Sequence, residues 1–370
     1  MWGVPIASYA NERIESFCQH ISAYDIILLQ EVWKASHEAT VRNAVERMVP
    51  SWYCQTFRGG VVGMGLMILS RYPLCNATVV PYSVMGRSYA VHHGDYFSGK
   101  GVAICDVIVG EGIVVKVFTT HTHACYEKVM GRLTHPEQEA YAAVRTAQML
   151  QLAQTVVRCT RPGEAVIVAG DFNCTPLMAP YQIFAEMTGL EASCTGVTYT
   201  TENAFNAMAT GYYKILSMEE DLPAQLDHLL FSGALHCVHS SVAFTSNEAV
   251  ALPAGSKMRA CPMSDHYGIE AVFDTSVQAP NLSMKRKKNS PILSPSVVSE
   301  CLRIVRYGLR RDRTLYFRQL VGSGLSMVLA MWTGWIAIWG SLAVLLFLVA
   351  LTLRSEIRGL EQSEDVLRNM

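Results

Sequence analysis

Val166-Ile167-Val168-Ala169-Gly170-Asp171-Phe172-Asn173 is the stretch on which the reading of this chain turns. Four apolar residues in a row suit a short buried strand, and the polar residues that follow sit where such a strand leaves its sheet. A single Gly-Asp after a strand is most often a turn. Three other segments repeat the arrangement, however. Gln30-Glu31 follows Ile26 to Leu29, His121-Thr122-His123 follows Val114 to Thr120, and Ser264-Asp265-His266 precedes Tyr267 to Phe273. Strand ends held by a rigid sheet are where reactive side chains collect, so the four clusters together predict one site.

Outward from these clusters the chain alternates helix and strand. Ile14, Phe17 and Ile21 share one face of a helix over Asn11–His20, and a second helix is predicted over Ser36–Val49. Val61–Ser70 and Leu74–Tyr82 read as strands broken at Arg71-Tyr72-Pro73, and Gly101–Val109 and Ile113–Thr120 as a hairpin joined by Gly110-Glu111-Gly112. Pro136 suits the first turn of a long helix reaching about Arg158. Leu226–Ser232, Val238–Phe244 and Tyr267–Phe273 supply later strands, while Gly189–Ala224 has no clear period. Hairpins mixed with helix–strand units predict a layered α/β domain rather than a simple parallel sheet.

The chain has 30 Lys and Arg against 31 Asp and Glu, and only 16% of it is charged, against about 25% in soluble domains. The deficit is concentrated in Val321–Leu353, 33 residues without Asp, Glu, Lys or Arg. A 50% hydrophobic content excludes disorder, collagen and coiled coil. Eleven cysteines, no two within four residues of one another, provide no zinc spacing. The start Met1-Trp2-Gly3-Val4-Pro5 lacks the basic and apolar segments of a signal peptide, so a disulfide framework is not expected and the globular part is expected to face the cytosol.

The polar clusters contain carboxylates, an amide and imidazoles, without a nucleophile elbow or an activated thiolate. Such oxygen-rich sets suit Mg²⁺, which leans on substrate phosphate oxygens to complete its shell. Metal-assisted phosphoester hydrolysis is the chemistry that follows.

Leu28-Leu29-Gln30-Glu31-Val32-Trp33, Gly170-Asp171-Phe172-Asn173 and Ser264-Asp265-His266 resemble the three signature blocks of the endonuclease/exonuclease/phosphatase superfamily. Trp2-Gly3-Val4-Pro5, the block His92 to Gly101 and Thr120-His121-Thr122-His123-Ala124 resemble, more specifically, the neutral sphingomyelinases and inositol phosphosphingolipid phospholipases C. The resemblance covers residues 2 to about 273. It implies a DNase-I-like four-layer sandwich of two mixed β-sheets flanked by helices, and Mg²⁺-dependent cleavage of a sphingolipid phosphodiester to ceramide and a phosphorylated headgroup.

Residue by residue, the resemblance makes Glu31 the Mg²⁺ carboxylate, with Asp265 at the metal or its water, and His266 the general base, oriented by Asp227. Asp171 and Asn173 would position water and phosphoryl oxygens, and His121 would support the transition state or leaving group. His123 is balanced between such a role and packing. His93, Asp95 and Lys100 are assigned to substrate contact. The family pattern also has a strand ending in Asn just upstream of the Trp-Gly-Val-Pro block. The chain as given starts at Met1, and a form extended by that strand is expected to be more stable and more active.

After Asp274 the composition turns to Pro, Ser and Asn, and ten basic residues against two acidic ones lie between Met284 and Arg318. The expected organisation is a catalytic domain over 1–274, a basic linker over 275–318 drawn to anionic phospholipid headgroups, a transmembrane segment over 319–354 and a cytosolic tail over 355–370. One straight helix of 33 residues would be about 50 Å long, against a hydrocarbon core of ~30 Å. Arg310, Arg311, Arg313 and Arg318 precede the run and Arg354 and Arg358 follow it, so a helical hairpin turning near Thr333-Gly334-Trp335 places both basic flanks on one side. A single tilted helix is the alternative. No nucleic-acid partner is expected, because the basic excess lies outside the catalytic domain. A nuclease or phosphoinositide phosphatase of the same superfamily, and a catalytically impaired lipid-binding protein, are the rival readings.

Overall fold

The computed structural model describes residues 9–110, 112–126, 139–194, 199–200, 224–245, 250–256, 260–275 and 293–370. The Trp2–Pro5 block, the expected helix start at Pro136 and the Lys285–Lys288 run lie outside the described residues.

Helices α1 (Ala10–Cys18) and α2 (Ala35–Met48) cover a three-stranded antiparallel sheet of β1 (Ile26–Leu29), β2 (Tyr53–Phe57) and β3 (Leu66–Ser70), in the order β1-β3-β2. The second sheet holds β4 (Leu74–Pro81), β5 (Gly101–Gly110), β6 (Ile113–His121), β7 (Ala165–Asp171), β8 (Glu191–Ala192) and β9 (Asp227–Phe231), in the order β4-β5-β6-β7-β9-β8. Only β6 and β7 run parallel in it, joined through α4 (Ala142–Cys159), so the sheet is mixed. A one-turn helix, α3 (Asp95–Ser98), precedes β5, and α5 (Ala179–Thr188) lies beside α4. Strands β10 (His236–Ala243) and β13 (Gly268–Asp274) form an antiparallel pair, as do the short β11 (Val250–Ala251) and β12 (Ala260–Cys261).

The alternation of side chains along each strand builds the layers. Val102, Ile104, Phe118, Val166 and Val168 face α4 and α5, meeting Met149, Leu152 and Phe184. Their neighbours Ala103, Cys105, Val117, Ile167 and Ala169 face the other way and meet Phe57, Leu66 and Ile68 of the first sheet. On the far side of that sheet Met67 and Leu69 pack with Ile14, Phe17, Val41 and Val45. Helices, sheet, sheet and helices give the expected four layers. Between β1 and β13 lies a cavity of about 460 Å³ lined by Ile26, Leu28, Ile269 and Phe273 and reaching Asp227 and His266. None of the eleven cysteines is in a disulfide.

The β2–β3 region differs from expectation. The strand predicted from Val61 begins at Leu66, because Gly63 and Gly65 take φ of +110° and +70°. Strand β2 was not expected at all; Tyr-Cys-Gln-Thr-Phe carries too few aliphatic residues to stand out.

The larger difference concerns the described part of the expected linker, residues 293–318, and the expected tail, 355–370. From Pro295 the chain is helical: α6 (Pro295–Thr333) and α7 (Ile336–Arg368) flank Gly334, whose φ of +71° allows the reversal. The helices run antiparallel, as Ser323 donating to the Ala343 carbonyl (2.9 Å) and the Arg313–Glu361 and Arg306–Glu364 pairs (2.8 Å each) require. Val297, Cys301, Ile304, Val305 and Leu309 of α6, with Ile357 and Leu360 of α7, bury against Ala140, Ala143, Ala147 and Leu150. Gly308 lies so close to Ala143 that a Cβ there would overlap the alanine side chain. The hairpin stem is therefore a fifth layer on α4. Beyond the stem, Leu325, Met331, Trp332, Val344, Leu345 and Leu348 are exposed. Among the described helices, α7 is long and apolar enough to cross a membrane by length and composition.

Candidate active site

Three of the expected site residues lie in one row across three adjacent strands. His121 at the end of β6 is in register with Asp171 at the end of β7, and Asp171 with Asp227 at the start of β9. By strand periodicity all three point to the face that looks at the first sheet, in line with Val117, Ile167, Ala169 and Phe231. Gly170 makes the row possible: its backbone approaches the Thr120 carbonyl so closely that any Cβ would overlap that oxygen. Asn173 follows with φ +46°, a left-handed turn that asparagine tolerates. It donates its backbone N–H to Asp171 Oδ1 (2.8 Å) and its side-chain amide to the Thr122 carbonyl (3.1 Å).

His266 reaches this row from the segment before β13. Its Nδ1 is 2.7 Å from Asp227 Oδ2 and 3.9 Å from Asp171 Oδ2, while His121 Nε2 is 3.5 Å from Asp171 Oδ2. Burial opposes a charge on His266, but Asp227, helped by Asp171 and Asp265, holds its imidazole well above the ordinary 6.5. Burial would raise Asp227, and the His266 charge overrides it to hold that carboxyl below its usual range. Asp171 goes the other way: burial, reinforced by the Asp227 charge, pushes its carboxyl up to about 7. Burial keeps the His121 imidazole well below 6.5, hence neutral at pH 7.

Glu31 lies two residues beyond the end of β1 in a left-handed conformation, φ +63°, which is uncommon for a glutamate. The next residue, Val32, donates its N–H to the Gly65 carbonyl (3.0 Å), and Gln30 spans the two sheets to Thr119 Oγ1 (3.2 Å). Glu31 and Asp265 share a neighbour in the buried Arg13, whose guanidinium feels both charges. Among the described residues, Asp171, Asp227 and His266 offer ligand atoms within 4.8 Å of one another; Glu31 and Asp265 stand apart from that group.

Asp95 and Lys100 occupy a different place. Lys100 is 1% exposed, pairs with Asp95 Oδ1 at 2.8 Å and donates to the Thr122 carbonyl at 2.7 Å. Burial would raise the Asp95 carboxyl, yet Lys100 and His123 hold it below the carboxylate range. The pair is a buried strut beneath the His121–His123 strand end. His123 is buried too, stacked on Tyr141 at 4.0 Å, and burial lowers its imidazole to about 4. His93 stacks on Tyr126 at 4.0 Å and shares a 2.5 Å hydrogen bond with the Tyr141 hydroxyl.

Sequence reasoning missed Thr200. Its hydroxyl accepts the Asp227 N–H (3.1 Å) and its carbonyl accepts the Tyr267 N–H (2.7 Å), so it ties the Asp227 strand to the His266 segment. It lies in the stretch without periodicity, where no pattern could have singled it out.

Residues 6–266 match the model of the "Endonuclease/Exonuclease/phosphatase family". An inositol phosphosphingolipids phospholipase C of Schizosaccharomyces pombe is 26% identical over 383 residues, covering 97% of this chain and 86% of its own. Human sphingomyelin phosphodiesterase 2 is 25% identical over 345 residues, 88% of this chain and 76% of its own. A Drosophila melanogaster relative bearing the name of a neutral sphingomyelinase is 30% identical over 240 residues, 64% of this chain but only 51% of its own length. Among solved structures, beta toxin from Staphylococcus aureus with bound magnesium ions has a TM-score of 0.52 at 18% identity, covering 72% of this chain and 92% of its own. That likeness shows a shared fold, and the family match settles membership: the chain belongs to the endonuclease/exonuclease/phosphatase family.

Proposed function

We propose that this protein is a Mg²⁺-dependent, phospholipase C-type hydrolase that cleaves a sphingolipid phosphodiester, in sphingomyelin or inositol phosphoceramide, to ceramide and a phosphorylated headgroup. The observation that carries the reading is the His266–Asp227 pair beside Asp171 and His121. The names of the S. pombe and human relatives give the substrate class.

The donor set fits a divalent cation. A buried Asp171 and a half-buried Asp227 stand side by side, and the upward displacement of Asp171 expresses negative charge that a cation bound close by would relieve. Glu31 and Asp265 are the residues proposed to hold Mg²⁺, because Asp227 Oδ2 is already engaged by His266 Nδ1 and a metal on that oxygen would displace the ring. Bound there, the ion would offset charge on the phosphoryl oxygens.

The chain's own groups account for the proton chemistry. With Nδ1 engaged on Asp227, the neutral form of His266 takes a proton from the attacking water through Nε2, and because the imidazole is held above 6.5 that form gains as pH rises. The water oxygen bonds to phosphorus while the bond to the ceramide oxygen breaks, and that oxygen leaves as the ceramide hydroxyl with a proton drawn from solvent, to which His266 returns its own. Asn173 and the neutral His121 supply hydrogen-bond donors to the crowded phosphoryl centre.

The apolar hairpin beyond the stem is proposed to enter the bilayer from the cytosolic side, with both basic flanks at that surface against anionic headgroups. The test is turnover on sphingomyelin and inositol phosphoceramide vesicles with and without Mg²⁺, alongside phosphoinositide and DNA arms. Release of a phosphorylated headgroup from a sphingolipid supports the reading. Turnover confined to DNA or phosphoinositide overturns it.

A further inference from the structure

Besides its apolar packing on α4, the stem of the hairpin holds the catalytic domain through a buried carboxylate. Glu356 of α7, 5% exposed, accepts the backbone N–H groups of Met85 (2.9 Å to Oε2, 3.0 Å to Oε1) and Gly86 (3.0 Å). These amides lie in a loop between β4 and α3, outside the strand ladder, so the carboxylate satisfies donors that would otherwise be buried without partners. One turn along α7, Gly359 brings the helix flush against the same loop: a Cβ there would meet Val84 Cγ2 at 2.5 Å and the Ser83 carbonyl at 3.1 Å.

The other side of the loop faces the site. Gly86 sits directly on the His123 ring, where a Cβ would come within 2.5 Å of Nε2. Gln148 of α4 joins the two, donating to the Val84 carbonyl (2.9 Å) and accepting the His123 N–H (2.8 Å). Next to His123, the Thr122 carbonyl receives both Lys100 Nζ and the Asn173 amide. An unbroken series of contacts therefore runs from the hairpin to Asn173.

We propose that Glu356 is a positioning residue for the hydrolysis: by holding the Met85 and Gly86 amides it seats the loop against His123 and so fixes the strand end that carries His121 and supports Asn173. The proposal rests on the hydrolase reading for its catalytic consequence. Its geometric part is independent of that reading.

The test uses the full chain in detergent with Glu356→Gln, which keeps the volume but removes the charge, and Glu356→Ala. Arg306→Ala, which breaks only the exposed Arg306–Glu364 pair, is the stem control. Amide exchange over residues 83–88, kcat, KM on sphingomyelin micelles and the melting temperature are measured. Glu356→Gln should speed exchange about 10-fold and lower kcat about 10-fold, with KM and melting little changed; Arg306→Ala should match wild type. Should the alanine variant fail to fold, the glutamine variant decides alone. Faster exchange with unchanged kcat would reduce Glu356 to an anchor, and unchanged exchange would remove it from the loop altogether; either overturns the proposal. A wild-type chain that turns over no sphingolipid defeats the hydrolase reading instead, and the exchange measurement separates that failure from this one.

Discussion

His266 Nδ1 and Asp227 Oδ2 are joined by a 2.7 Å hydrogen bond between residues 39 positions apart, one at the start of β9 and the other in the segment before β13. The bond fixes which imidazole nitrogen is free to meet water.

Replacing the imidazole tests this directly. His266→Ala should lower kcat by about 10²-fold or more, and Asp227→Asn, which leaves the ring without its orienting charge, by a similar factor. Steady-state turnover with titrated Mg²⁺ is the measurement. A His266→Ala variant that loses Mg²⁺ binding in proportion to kcat would make the histidine a ligand instead.

The same pair has a pH signature in folding. His266 is held above its ordinary value, so its contribution is full below pH 6.5 and is lost as pH rises through the raised value. Asp227 is held below 3.8, so its contribution is present above that pH and is lost as pH falls through the depressed value. Asp227→Asn should therefore destabilise most between those limits, as thermal melts across pH 4 to 9 would reveal. A uniform loss at every pH would deny the ion pair.

Asp171 carries the opposite sign. Its carboxyl titrates near 7 rather than 3.8, so the folded state is penalised increasingly as pH rises through that interval. Without divalent cation, Asp171→Asn should melt a few degrees above wild type at pH 8 and no higher at pH 4, while losing activity. Equal melting at pH 8 would mean that Asp171 is not under charge stress.

The metal assignment divides two carboxylate sets. Glu31→Gln should raise the Mg²⁺ concentration for half-maximal activity at least about 10-fold, whereas Asp171→Asn should lower kcat and shift that concentration by no more than roughly 3-fold. The reverse pattern would put the ion on Asp171, Asp227 and His266.

Truncation probes the fifth layer. Ending the chain after Asp274 would strip Val297, Cys301, Ile304, Val305 and Leu360 from α4 and leave its alanine face bare, so the product should aggregate or melt early. Replacing only the apolar tip, residues 319–353, by a short Gly-Ser turn keeps both halves of the stem. That protein should be monodisperse without detergent, active on micelles and poor on bilayers. A stable, monomeric product ending at Asp274 would show the stem contact to be dispensable.

The legible parts of the molecule were those with one dominant pattern. Four apolar runs, three followed and one preceded by polar residues, marked β1, β6, β7 and β13. The stem was hidden because its buried stripe, Val297, Cys301, Ile304, Val305, Gly308 and Leu309, is interleaved with arginines that face solvent or pair with Glu361 and Glu364. The burial of Asp95 and Lys100 was hidden for a related reason: nothing in the local sequence marks two charged residues beside a strand as buried, and only their 2.8 Å pairing lets both be so. Glu356, separated by 270 residues from Gly86, left no local trace.

Pro295 to Arg318 is 24 residues of uninterrupted helix, about 36 Å at 1.5 Å per residue, and it continues into the apolar tip. The hydrolase domain is thus mounted on a mast and not on a leash. With the tip inserted as proposed above, the domain would not lean out on a flexible tether to collect lipids from a wide circle, and its mouth would keep one height over the bilayer. Substrate supply would then be a planar traffic problem, governed by the lateral drift of lipid and protein past one another, and a change in bilayer thickness would raise or lower the mouth as a whole.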